Sequence, residues 1–196
     1  MDAKEPRPFL RDALGILGFI LLVVVGVFFI NAFIFRSFGV NGPSMETTMF
    51  TGDRVIVNRI PVTWENIFGR SYIPTRGQVV VFKNPLHEPG MPDEFIVKRV
   101  MAFENERVVV KDGVVTVFNA ANPQGFQPDD TIKGPGSPTT GDVDIVVPKG
   151  ELFVIGDHRT GNYSLDSRNG LSTIPLYDVV GPVGMRIYPF DKIRLF

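Results

Sequence analysis

The 196-residue chain has no cysteine, only two histidines and a single tryptophan. Without cysteine there can be no disulfide, no thiolate nucleophile and no thiolate-held metal. His87 and His158 are too few and too far apart in sequence to form a histidine metal cluster, so neither a metal nor a cofactor is expected. Charge of one sign is also missing: 20 Lys and Arg stand against 21 Asp and Glu, and no basic stripe is visible. That removes the electrostatic case for a nucleic-acid partner. Internal repeats are absent, and beyond position 36 no segment sustains a helical period.

What is present begins with a long apolar run. Positions 13–35 (ALGILGFILLVVVGVFFINAFIF) carry no charge and one strongly polar residue, Asn31. Roughly 20 apolar residues suffice for a helix to cross a bilayer core. A buried core helix would show a polar stripe, which this run lacks. A cleaved secretion signal would have a shorter apolar stretch and an A-x-A-like site, whereas Phe35-Arg36-Ser37-Phe38 follows here. The reading is a membrane anchor. Lys4, Arg7 and Arg11 precede it and only Arg36 and Arg54 follow closely, so the positive-inside bias predicts a cytoplasmic 1–12, a span at 13–35 and an extracytoplasmic 36–196.

After the anchor, short β-branched runs bounded by Gly, Pro, Asp or Asn predict strands at 54–58, 78–82, 95–100, 107–110 and 151–155. Lys111-Asp112-Gly113-Val114 supplies a hairpin turn. The soluble part is expected to be mainly β, an antiparallel barrel or sandwich. Residues 83–94 and 119–142, rich in Pro, Gly, Asn and Asp, read as irregular.

Three places could carry chemistry. Ser44 follows Gly42 and Pro43 in a constrained turn, where a serine is either a cap or an exposed nucleophile. Lys98 shares a strand face with Ile96 and Val100, so it either snorkels out at a sheet edge or is buried with a lowered pKa, as a general base requires. A dense polar cluster, Gly156-Asp157-His158-Arg159 then Ser164-Leu165-Asp166-Ser167-Arg168, is either a hydrogen-bonded surface loop or a network orienting the other two. Within it His158, with Asp157 or Asp166, rivals Lys98 as the base for Ser44.

These segments occur in an order that resembles the bacterial type I signal peptidases. Residues 41–48 (NGPSMETT) are similar to the family's S-G-x-S-M-x-P-T, and 52–59 (GDRVIVNR) to G-D-x-V-x-V-x-K. Residues 76–82 (RGQVVVF) resemble R-G-D-I-V-V-F, and 96–100 (IVKRV) resemble Y-V-K-R-V; 154–159 (VIGDHR) and 164–168 (SLDSR) resemble V-M-G-D-N-R and S-x-D-S-R. The resemblance implies a serine endopeptidase that removes signal peptides from secretory preproteins, with Ser44 as nucleophile and Lys98 as base. It further implies a hydrogen bond from Ser164 to the lysine amine, a structural ion pair between Asp166 and Arg168, and a supporting Asp157. Pockets for small side chains at the −1 and −3 substrate positions would be formed by Phe38, Val40, Met45, Met49, Val55, Ile96 and Val97. The expected fold is an all-β catalytic core with a small β insertion within 103–145, seated in a lipid bilayer through the anchor. Thr47, Ile96 and His158 depart from the family's Pro, Tyr and Asn, Gly42 stands where some members use a serine hydroxyl, and four residues rather than two separate Arg159 from Ser164. Two other readings are a self-cleaving protease related to the SOS repressors and a membrane-tethered β module that binds partner proteins with a decayed dyad. The first lacks its DNA-binding domain; the second is opposed by the presence of both dyad residues.

Overall fold

The apolar run folds as α1 (Pro8–Phe29), which widens into one π-helical turn at Ile30–Ile34. A computed structural model describes residues 8–87, 90, 94–132, 134, 136 and 138–196 of the chain. Lys4 and Arg7, used above to orient the anchor, lie outside the described residues, as do 88–89, 91–93, 133, 135 and 137 of the two irregular stretches. From Arg11 to Ile34 no part of the helix is buried against the protein, so its apolar side chains have no protein core to fill. At Phe35 the backbone turns extended (φ −139°, ψ 139°), and β1 (Phe35–Gly39) begins with no linker between.

The remaining elements are β2 (Arg54–Asn58), α2 (Ile60–Ile67), β3 (Val79–Lys83), β4 (Phe95–Phe103), β5 (Arg107–Lys111), β6 (Val114–Asn119), β7 (Asn122–Phe126), β8 (Val143–Val146), β9 (Glu151–Ile155), β10 (Ile174–Pro175), β11 (Val179–Tyr188) and β12 (Arg194–Leu195). One antiparallel sheet runs β1-β2-β11-β3-β4-β9-β10, with β12 added to β11; a second runs β7-β6-β5-β8. The mainly β architecture expected from the sequence is what is found, as a curled half-barrel rather than a closed barrel. Asp112 (φ 51°) and Gly113 (φ 82°) both take the left-handed region, as the tight turn between β5 and β6 demands.

Three points differ from expectation, the first being that β7 lies inside a stretch expected to be irregular. A helix does occur beyond position 36: α2 is only eight residues long, too short for a periodicity to show, and begins at Ile60-Pro61. The long strand β11 also went unseen, because Gly181-Pro182-Val183-Gly184 interrupts its pattern where the register shifts against β3 and β2.

Three buried clusters hold the sheets. One packs β2, β3 and β11 around Met45 and Met49; another joins β3, β4 and β9 through Phe82, Val100 and Leu152. The third joins the two sheets, setting Met101, Ala102, Phe153 and Ile155 against Val108, Val110, Val115 and Val117. Phe153 is fully buried at this junction. Phe153→Ala is expected to destabilise the protein by about 3–5 kcal/mol, read as a lowered denaturant midpoint.

Candidate active site

β4 is an interior strand, paired to β3 through Val80↔Lys98 and to β9 through Arg99↔Ile155. Lys98 therefore has no sheet edge at which to snorkel, and it is only 3% exposed. Its Nζ donates to the Val97 carbonyl at 2.9 Å and stands 2.7 Å from Ser44 Oγ. Burial lowers the Lys98 pKa to about 8; Asp166 and Asp157 pull it up against that shift, and Arg168 adds to it.

Ser44 is brought to the amine by a loop stitched to its surroundings. Val40 N–H donates to Asp53 O at 2.8 Å and Gly52 N–H to Val40 O at 3.0 Å, which fixes the chain as it leaves β1. Gly42 holds φ 88°, a conformation that favours glycine, and Glu46 N–H closes the turn on Pro43 O at 3.0 Å. Behind the turn, His158 donates its backbone N–H to Ser44 O at 3.1 Å, and its Nδ1 lies 3.2 Å from Pro43 O. Gly156 permits this approach: a Cβ there would meet Ser164 Oγ at 2.2 Å and Ser44 O at 2.4 Å.

The two acidic residues near Lys98 are each held by an arginine. Arg99 grips Asp157 through two hydrogen bonds, with both side chains buried. Asp166 receives Arg168 through Nε at 3.0 Å and Nη2 at 2.7 Å, and takes the Gly156 N–H at 2.9 Å. The ion pair between Asp166 and Arg168 implied by the resemblance is thus present as a geometry, whereas the hydrogen bond between Ser164 and Lys98 is not. Ser164 is 1% exposed and its Oγ has no hydrogen-bond partner among the described residues.

Beside Ser44 and Lys98 lies a groove of about 410 Å³. Phe38, Val40, Val55, Ile96 and Val97, which the resemblance places at the substrate pockets, line it, and so does Gly42. Met45 and Met49 do not; both are fully buried in the cluster beneath, in contact with the groove's apolar wall rather than its space. The sequence reading missed Tyr163 and Leu165, which also line the groove and come from the lengthened loop before and after Ser164. Tyr163 stacks on His158 with ring centroids 4.6 Å apart, an arrangement that the aromatic at the end of that loop could have signalled. Arg99 was passed over as well, because its partner Asp157 is 58 residues away. Among the described residues no group of acidic residues and histidines could hold a metal.

Asp157→Ala would leave the Arg99 guanidinium buried without its counter-ion. The expected cost is about 3–5 kcal/mol, measured as a lowered unfolding midpoint.

Comparison with known proteins bears on this site. The family described as signal peptidase, peptidase S26, matches residues 13–188. The chain is 31% identical over 178 residues to signal peptidase I T of Bacillus subtilis (strain 168), covering 89% of this chain and 85% of that protein. It is 27% identical over 177 residues to signal peptidase I U of the same strain, covering 89% and 87% respectively. A crystal structure of a signal peptidase I from Enterococcus faecalis V583 aligns over 56% of this chain and 96% of that one, at 22% identity and a TM-score of 0.42. With a family match across nearly all of its length, the chain belongs to the signal peptidase family, peptidase S26, and is a peptidase.

Proposed function

We propose that the protein is a membrane-anchored serine endopeptidase that removes signal peptides from secretory preproteins through a dyad of Ser44 and Lys98. The observation that carries this reading is the 2.7 Å approach of a buried lysine amine to a serine hydroxyl at the side of an apolar groove. In the reaction, neutral Lys98 Nζ takes the proton of Ser44 as Oγ attacks the scissile carbonyl, and the N–H of Ser44 donates to the oxyanion. The Lys98 ammonium then returns the proton to the departing amine, leaving an acyl-enzyme. A water then gives a proton to Lys98 as it adds to the acyl carbonyl, and the Lys98 ammonium returns that proton to Ser44 Oγ as the ester bond breaks and the new C-terminus leaves. Phe38, Val40, Val55, Ile96 and Val97 shape shallow apolar pockets suited to small residues at −1 and −3, with Met45 and Met49 supporting their floor. The helix Arg11–Ile34 is long and apolar enough to span a membrane, with the β domain on the outer side and 1–12 in the cytoplasm.

Although the Glu46 carboxylate lies 3.8 Å from His158 Nδ1, the described side chain hydrogen-bonded to Ser44 Oγ is Lys98, not His158. Its Nδ1 is within hydrogen-bond reach of Pro43 O, and its ring stacks on Tyr163 behind the nucleophile turn. The binding-module alternative fails if an acylating β-lactam labels Ser44 at alkaline pH, and stands if no labelling occurs at any pH.

The lysine base sets the pH dependence. With a pKa of about 8, kcat/KM is expected to fall roughly tenfold per pH unit below 8 and to level off above it. Ser44→Ala and Lys98→Ala should each abolish cleavage of a preprotein after an A-x-A site, whereas His158→Ala should keep the same limb. An unmoved activity in Lys98→Ala would sink the dyad.

Stability carries the same signature. Because folding lowers the Lys98 pKa from 10.5 to about 8, the unfolded chain binds the proton first as pH falls. Stability from this group therefore declines between about pH 10.5 and 8 and stays lower below that, by about 3 kcal/mol. Lys98→Met, inactive, is expected to melt higher than the parent at pH 7, with the gain vanishing above pH 10.5. Gly156→Ala, which pushes Ser44 O and Ser164, should lower kcat/KM by about a hundredfold through a displaced nucleophile.

A further inference from the structure

α2 is amphipathic the wrong way round for a helix of a soluble domain. Only Val62 among its residues is buried, while Ile60, Trp64, Ile67 and the following Phe68 recur at one-face spacing and point outward. Trp64 is 59% exposed and Ile67 is 69% exposed. Trp64 and Phe68 meet edge to face at 5.3 Å, and Arg70 lies 5.6 Å from the Phe68 ring while pairing with Glu65. Exposed Ile73 extends the patch, and an open, apolar hollow runs between it, Ile60 and Trp64.

What covers this face is indicated by where the helix is tied. Arg59 N–H donates to Ile34 O at 2.8 Å, Thr63 Oγ1 to Phe33 O at 2.8 Å, and Arg59 Nη1 to Asn31 O at 3.3 Å. All three acceptors belong to the last turn of the long apolar helix, so α2 is fastened at the level where that helix ends. An apolar face bearing Trp and Phe, rimmed by arginine, at the end of a span is the chemistry of the bilayer interface.

We propose that α2 is an interfacial helix that lies in the headgroup layer and seats the β domain on the membrane, fixing the orientation of the groove above it. This rests on the reading of Arg11–Ile34 as a span. The distance is set as well: β1 leads from the end of the span toward the Ser44 turn, and its five residues cover about 16 Å. A domain held by β1 alone would be free to tilt about one strand; α2 supplies the second point of contact.

Trp64 is the only tryptophan in the chain, so its fluorescence reports on this face alone. The full chain is reconstituted into phosphatidylcholine–phosphatidylglycerol vesicles containing lipids brominated either just below the headgroup or near the chain ends. The expected result is blue-shifted emission quenched more strongly by the shallow bromines. Water-like, unquenched emission from protein that floats with the vesicles would overturn the proposal and leave the anchor intact. Failure to float would remove the anchor, and the proposal with it. Burial of Trp64 that depends on protein-to-lipid ratio, or only on added preprotein, would overturn it in favour of a second copy or of substrate. The triple variant Ile60→Ser, Ile67→Ser, Phe68→Ser should lose quenching and cleave a vesicle-embedded preprotein several-fold more slowly, with cleavage of a soluble peptide unchanged. Equal loss on both substrates would mean a fold defect and overturn the positioning role. Loss of peptide cleavage in the parent protein would instead count against the proposed activity.

Discussion

The desolvation of one amine is the constraint around which the site is organised. An ammonium buried to 3% exposure loses its hydration, and among the described residues no carboxylate pairs with it in return. The two acidic residues near enough to raise its pKa are already engaged: Asp157 by Arg99, and Asp166 by Arg168 and by backbone N–H groups. Their charges are largely matched by those arginines, so the pull on Lys98 is smaller than burial's opposing effect. Remove either arginine and the freed carboxylate would favour the ammonium. The ion pairs are thus part of what keeps the amine's pKa lowered, although neither is made with the amine itself.

Burial of Lys98 depends in turn on the sheet. Only an interior strand can bury a lysine without offering its stem an edge, and β4 is flanked by β3 and β9. β9 runs straight on into Gly156, whose missing side chain allows Ser44 O and Ser164 to approach from the other side. Strand order, the absent Cβ and the dry amine are one arrangement seen at three scales.

Sequence patterns marked those parts whose cause is local. The β-branched runs at 54–58 and 151–155 became strands with those bounds, and Asp112-Gly113 turned where two left-handed residues were needed. The segments around Ser44 and Lys98 stood out only through their ordered resemblance to a family, since a turn serine and a strand lysine are common. What stayed hidden has non-local causes. Arg186 pairs with Asp53 across 133 residues, and Arg159 pairs with Asp129, contacts that no spacing encodes. Met45 and Met49 have the polarity of groove residues and the position of core residues, a distinction made only by packing. β11 keeps its place in the sheet despite Pro182 because its irregularities coincide with register shifts.

The choice of a lysine also explains how little scaffolding the proposed base needs. An imidazole has two nitrogens and must be held in one tautomer, which is why a histidine base is accompanied by an orienting carboxylate. A neutral amine has one nitrogen and one lone pair. With one N–H donated to the Val97 carbonyl, the lone pair has only two positions left on Nζ, and Ser44 Oγ lies 2.7 Å from that nitrogen. The acidic residues are then free to serve the fold, each closed on an arginine, and the site trades an orienting charge for dryness. That trade suits the proposed cleavage of a peptide laid in the groove: Ser44 stays within reach there, while the Lys98 amine behind it is kept from water by the protein itself.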